Sequence, residues 1–186
     1  MADSKTVLIL GGGVGGLVAA NTLRKLLPKK DRIIVIDREE DHLFQPSLLW
    51  VMIGDRRPEK ISRPLARLNR KGIEFVCGEI EKINPEEKTV FVSGRTLKSD
   101  ALVISVGVEL ATGSIPGLAE SGQTFYTLEG AQAIREGLVR FKGGRIVILT
   151  AAPMYKCPAA PYEAAMLIEY DCRRRNVRQK IGRAHV

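Results

Sequence analysis

Cysteine and histidine are scarce in this 186-residue chain, and each scarcity excludes a chemistry. The three cysteines, at 77, 157 and 172, are an odd number and do not make a secreted disulfide framework, so a reducing cytosol is the default compartment. The two histidines have no Cys or His grouping around them and offer no metal-ligand spacing. No uninterrupted apolar run approaches the ~20 residues that a spanning helix needs, which excludes an integral membrane segment from this stretch and leaves peripheral contact open. Internal repeats and low-complexity tracts are absent as well. What is in excess is basic charge: 29 Lys and Arg against 21 Asp and Glu give +8. That balance reads as a solvated basic surface in preference to a nucleic-acid or membrane patch. With 45% hydrophobic and 27% charged residues, the chain suits one globular domain, or one domain and part of another.

The last six residues, 181–186, spell IGRAHV, which is the translation of a widely used sequencing-library adapter. They are expected to be read-through, with the native chain continuing past about residue 180. On that expectation the charge falls from +8 to +7 with the loss of Arg183, and His42 is the sole native histidine.

Residues 6–10 (TVLIL) form a short apolar run that meets Gly11 at once, as a buried parallel strand would. Val14, Leu17, Val18, Leu23, Leu26 and Leu27 then recur at helical spacing, and Pro28 marks the helix end. Residues 32–36 (RIIVI) complete a βαβ unit. Residues 41–46 read as a loop, and Pro64 is expected to open a basic helix closing at Gly72. Strands are predicted at 73–77, 79–83, 88–92 and 101–106, the last three forming an antiparallel excursion off the parallel sheet. Pro116-Gly117 is the expected boundary, giving a first domain over 1–115 and the start of a second over 116–180. In the second, an amphipathic helix carrying Ala131, Ile134, Leu138 and Phe141, a strand at 145–150 and a helix from Pro161 to about Arg175 open another βαβ unit. The strand that would complete it is missing from the sequence, which predicts truncation.

Gly11, Gly13 and Gly16 stand at G-x-G-x-x-G spacing between a predicted strand and a predicted helix. The first allows a tight turn, the second lets backbone approach a pyrophosphate, and the third lets helix and strand pack closely. The helix N-terminus offers free N–H groups to phosphate, and Asp37 at the end of the second strand is placed to accept from an adenosine ribose 2′-OH. Two alternatives are disfavoured by the complete strand–glycine–helix–strand–acid context: a signal-peptide core over residues 7–20, and a glycine turn without a ligand. The motif alone does not separate NAD from FAD.

The corresponding turn of the second unit, residues 150–163 (TAAPMYKCPAAPYE), contains no glycine, and Pro153, Pro158 and Pro161 remove backbone donors that could hold phosphate. Nicotinamide dinucleotide binding is disfavoured there. The turn presents Cys157 instead, beside Lys156 and near a helix N-terminus, a setting that favours thiolate and suits a redox nucleophile. Glu163, in the first turn of that helix, either complements the dipole or transfers protons. Cys77 and Cys172 read as small core residues.

Together these features resemble the flavin-dependent sulfide:quinone oxidoreductases and the related flavoprotein subunit of flavocytochrome c sulfide dehydrogenase, over Lys5 to about Lys180. The marks are the Gly11 to Gly16 turn, Phe44-Gln45-Pro46, Ser105-Val106-Gly107 and, most specifically, Cys157-Pro-Ala-Ala-Pro-Tyr-Glu163. The resemblance implies an α/β fold: a Rossmann-like FAD-binding domain with an antiparallel excursion, followed by the truncated start of a second Rossmann-like domain. It implies FAD lined by Gly11, Gly13, Val14, Gly15, Gly16, Asp37, Arg38, Pro46, Ile80, Val106 and Gly107, with Cys157 facing the flavin ring and Glu163 as the carboxylate near it. It further implies that sulfide attacks a cysteine disulfide or polysulfide, that the released thiolate passes two electrons to the flavin, and that a quinone or cytochrome reoxidises it. Peripheral membrane association, through a C-terminal half not in this sequence, belongs to the same implication; nucleic acid does not. Where many such enzymes carry a further cysteine, this chain has Tyr126-Thr127, and neither Cys77 nor Cys172 matches the usual partner of Cys157. The rival readings are an NADH-oxidising flavoprotein of the same fold and a non-catalytic nucleotide-binding module.

Overall fold

The computed structural model describes residues 3–153 and 155–177, with the backbone of residues 181–182. The chain divides into two units, one made of residues up to Leu43 with Ser62–Glu109 and the other of Phe44–Ile61 with Leu110 onward. Segment 44–61, which sequence continuity assigns to the first domain, groups here with the second unit.

In chain order the first unit contains β1 (Thr6–Leu10), α1 (Val14–Leu26), β2 (Arg32–Asp37), β3 (Asp41–Leu43), β4 (Ser62–Pro64), β5 (Glu74–Cys77), β6 (Ile80–Asn84), β7 (Thr89–Val92), β8 (Arg95–Lys98) and β9 (Ala101–Ile104). Strands β5-β2-β1-β9 make a parallel sheet, with Ile9 opposite Val35 on one side and Val103 on the other. Because strand residues alternate between faces, Val7, Ile9, Ile33 and Val35 pack with Ala20, Leu65, Leu68 and Ile73, while Leu8, Leu10, Ile34 and Ile36 pack with Val90 and Val92 of the antiparallel sheet β6-β7-β8. Both faces of the central strands are thereby covered, which is why TVLIL and RIIVI are apolar without interruption. Helix α1 buries Gly16 and Ala20 against the sheet, and its Val14, Val18 and Leu26 are exposed.

Three local expectations are corrected. Residues 41–43 are not loop but a strand, paired antiparallel with β4 from Asp41↔Pro64 to Leu43↔Ser62; three residues are too few to show a period. Pro64 ends that strand, and the basic stretch after it, Leu65–Lys71, is a 3-10 helix closed by Gly72 at φ 71°. The third antiparallel strand is β8 and not residues 101–106. Ser93 and Gly94, at φ 45° and 78°, supply the two left-handed residues of a tight hairpin, and β9 returns to the parallel sheet beside β1.

The second unit contains α2 (Leu48–Met52), α3 (Pro58–Ile61), α4 (Leu118–Ser121), α5 (Leu128–Arg140), β10 (Gly144–Arg145), α6 (Ala160–Arg174) and β11 (Ile181–Gly182). Thr127 caps α5 by accepting from the Gly130 N–H at 3.1 Å, as a threonine before a helix should. Helix α2 packs against α5 and α6, and Leu48, Leu49, Val51 and Met52 are buried with Ala131, Leu138, Ala164 and Ile168. The expected strand at 145–150 reduces to Gly144–Arg145, which pairs in parallel with Ile181–Gly182; Val147 and Leu149 beyond it are 59% and 66% exposed, and among the described residues no sheet buries that apolar pattern. Of the residues expected to be read-through, 183–186 lie outside the described residues. Among the described residues, no helix is long and apolar enough to cross a membrane.

Candidate functional site

The C-terminal ends of β1, β2 and β9 converge on one side of the parallel sheet, the usual position of a ligand crevice in such sheets. There the chain leaves β1 through Gly11 at φ 103°, where a Cβ would stand 2.4 Å from the Ser105 carbonyl oxygen. A Cβ on Gly16 would lie 1.8 Å from the carbonyl oxygen of Gly11, so only glycine lets α1 start this close to the strand. A Cβ on Gly13, by contrast, would meet nothing within 4 Å: its surroundings are open. The first turn of α1 has no side-chain cap and no acidic residue, leaving its N–H groups and the positive end of its dipole to a ligand.

Beside this turn lies a cavity of about 290 Å³ lined by Gly11, Ile36, Asp37, Arg38, Ile80, Val106, Gly107, Val108 and Glu109. Six residues expected from sequence meet in it: Gly11, Asp37, Arg38, Ile80, Val106 and Gly107. Gly13, Val14, Gly15 and Gly16 follow in the adjoining turn and first helical turn. Asp37 accepts from the backbone N–H of Gly12 at 2.5 Å through Oδ2 and from that of Glu39 at 2.8 Å through Oδ1. Both oxygens keep acceptor capacity, since a carboxylate oxygen takes two hydrogen bonds. A larger hollow of about 370 Å³ lined by Arg24, Lys29, Arg32 and Glu74 has its guanidinium groups committed: Arg24 donates to the carbonyls of Asp31, Leu27 and Pro28, and Arg32 pairs with Glu74 at 2.7 Å.

Sequence reasoning left Gly12 and His42 out of the site and named Ser105 only as a mark of the resemblance, yet all three fix this turn. Gly12 is enclosed, with a Cβ there only 2.6 Å from the Leu65 side chain. Ser105 donates from Oγ to the Leu10 and Gly11 carbonyls at 3.0 and 3.3 Å. His42 has Nδ1 3.0 Å from the Gly12 carbonyl oxygen. The run Gly11-Gly12-Gly13 was the available signal for Gly12; nothing local marks His42, which comes from β3 thirty residues on.

Pro46, Cys157 and Glu163 belong to the second unit. Cys157 is exposed and left-handed, at φ 55°, between the Lys156 peptide and α6. The Tyr126 hydroxyl donates to the Lys156 carbonyl, and the Ala160 N–H donates to the Cys157 carbonyl at 3.0 Å, so the backbone is held on both sides of the cysteine. Burial, and secondarily the neighbouring Cys157 and Tyr155, push the Tyr126 hydroxyl above the usual phenol range, which keeps it a donor. The Lys156 ammonium donates to Gln45 Oε1 at 2.7 Å and stands 6.0 Å from the Tyr126 ring centroid, bringing the Gln45-Pro46 turn to the cysteine loop. Glu163 lies in the first turn of α6 and is half-buried; among the described residues its carboxylate makes no hydrogen bond or ion pair with the loop. Of the cysteines expected to be core, Cys172 is buried, while Cys77 is exposed at the end of an edge strand with its Sγ 3.5 Å from the Arg38 carbonyl.

The sulfide-quinone reductase of Aquifex aeolicus is 34% identical over 96% of this chain and 42% of its own, and the crystal structure of the Aquifex aeolicus sulfide:quinone oxidoreductase superposes with a TM-score of 0.83 at 32% identity. An alternative NAD(P)H-ubiquinone oxidoreductase of Arabidopsis thaliana is 29% identical over 95% of this chain and 38% of its own. The chain spans about two fifths of the length of these relatives. Residues 5–152, from before the glycine turn to the edge of the cysteine loop, match the family model described as pyridine nucleotide-disulphide oxidoreductase, and the chain belongs to that family of FAD-binding flavoproteins.

Proposed function

We propose that this chain is part of an FAD-dependent enzyme that oxidises sulfide or a related sulfur compound and delivers the electrons to a quinone. FAD would be held by the Gly11 to Gly16 turn and by Asp37, Arg38, Ile80, Val106 and Gly107, with Pro46 assigned to the same cofactor on the strength of the resemblance. The residues fit that group. The open face of Gly13 admits a diphosphate, the uncapped N–H groups of α1 face no competing side chain, and the Asp37 carboxylate suits ribose hydroxyls and repels a 2′-phosphate. When bound, FAD supplies the two-electron acceptor between sulfur and quinone.

Cys157 is assigned as the leaving thiolate. Its Sγ, free in this structure, would enter the cycle bonded to the sulfur of a second cysteine or of a polysulfide; sulfide forms a new S–S bond to that outer sulfur, the bond to Sγ breaks, and Cys157 leaves as thiolate with the electron pair, for which FAD would be the acceptor. The observation that carries the reading is the turn before α6: it holds an exposed, backbone-clamped cysteine where a nicotinamide-binding turn would need glycine. Glu163 is assigned to proton handling beside it.

Cys157→Ser in the full-length protein tests this. Flavin reduction by sulfide should be abolished with FAD still bound; undiminished reduction would overturn the role of Cys157. Likeness to the Arabidopsis thaliana NAD(P)H-ubiquinone oxidoreductase favours NADH oxidation as the second reading, and rapid flavin reduction by NADH but not by sulfide would establish it instead.

A further inference from the structure

Both polar groups of Gly12 are held by side chains from separate elements. Its N–H donates to Asp37 Oδ2 at the end of β2, and its carbonyl oxygen lies 3.0 Å from Nδ1 of His42 on β3. A carbonyl oxygen can only accept, so Nδ1 must carry the hydrogen, and the ring is either the Nδ1–H tautomer or the imidazolium. His42 is half-buried and fixed in register opposite Arg63 of β4; Leu65, just past β4, fills the space beside Gly12 and ties its own N–H to the Glu40 carbonyl at 2.9 Å.

A trans peptide points its C=O and N–H in opposite directions. Holding the Gly12 carbonyl toward His42 therefore aims the Gly13 N–H away from it. That N–H makes no hydrogen bond among the described residues. We infer that His42 is a positioning residue of the cofactor turn: by donating from Nδ1 to the Gly12 carbonyl, it orients the Gly12–Gly13 peptide so that the free Gly13 N–H meets the FAD diphosphate. The inference rests on the reading that this turn holds FAD.

The test is FAD titration of the flavin-free full-length protein, followed by flavin fluorescence. Asn places an amide donor where His has Nδ1, and Gln places it where His has Nε2. His42→Leu and His42→Gln should weaken FAD binding about fivefold to tenfold, the effect of one lost hydrogen bond, and His42→Asn should recover most of it. Should the Leu variant fail to fold, the Asn and Gln pair decides. Equal affinities for Asn and Gln, or a folded Leu variant that binds like the parent, would overturn the role. Nitrogen NMR of the imidazole gives a readout independent of binding: Nδ1–H is expected, and a neutral Nε2–H tautomer would overturn it. Gly13→Val separates the two levels, because unchanged affinity in that variant removes FAD from the turn altogether, whatever His42 does.

Discussion

Among the glycines of the turn, steric surroundings divide roles that the motif treats alike. Gly16→Ala would press a methyl group onto the Gly11 carbonyl and should cost about 1–3 kcal/mol of stability, whereas Gly13→Ala, facing open space, should stay within about 0.5 kcal/mol. Urea denaturation of the two variants checks the contrast. The turn was legible because G-x-G-x-x-G fixes a backbone path, and the run of three glycines marks Gly12 with it; what encloses Gly12 was not legible, because the Leu65 contact and the His42 Nδ1 bond to its carbonyl join residues far apart in sequence. Cys172 gives a pH signature. Burial, the leading cause, holds its thiol above the ordinary range, so the folded state keeps a proton that the unfolded chain releases. Stability is unaffected below the unfolded thiol pKa of about 8.5 and falls as pH rises above it. Cys172→Ala should flatten that alkaline loss, measured as the difference in unfolding free energy between pH 7 and about pH 10.

At the scale of elements, long periods are legible in the sequence and short or turn-determined pieces are not. The sequence placed β1, α1, β2 and α5 because apolar residues recur there over two or more turns or sit in short apolar runs, and α6 because Pro161 marks its first turn. The three-residue β3 and β4 carry no such period, and β8 exists because Ser93-Gly94 closes a hairpin, not because RTLK is apolar. The segment leading into α5 is equally silent in sequence, yet it carries Tyr126 to the Lys156 carbonyl. Tyr126→Phe keeps the ring and removes the donor, so it should lower stability by about 0.5–1.5 kcal/mol, and on the proposed function it slows sulfide-driven flavin reduction severalfold with FAD affinity unchanged. Stopped-flow reduction alongside FAD titration distinguishes that outcome from general unfolding.

At the scale of the molecule, segment 44–61 is tied to the rest of the second unit by arginines gathered around a buried carboxylate. Asp171, fully inaccessible on α6, pairs with Arg175 at 2.7 Å, Arg174 at 2.9 Å and Arg135 at 3.4 Å, while Arg135 also donates to the Ile53 carbonyl at 2.8 Å and Arg174 to Asp55 at 2.8 Å. Asp171→Ala takes the carboxylate from Arg175, while Arg174 keeps Asp55, Arg135 keeps the Ile53 carbonyl and solvent reaches all three guanidinium groups, so the cost should be about 1–3 kcal/mol, read from urea unfolding, with Asp171→Asn milder. By itself the sequence determined the nucleotide-binding unit and the position of the cysteine, because glycine spacing, apolar runs and a proline-flanked turn are local constraints on the backbone. Only the tertiary structure decided that 44–61 leaves the first unit, that β9 lies beside β1, and that His42 and Tyr126 hold the two turns. Each of those depends on a hydrogen bond or ion pair between residues tens of positions apart, and pairing at that distance has no periodicity to read.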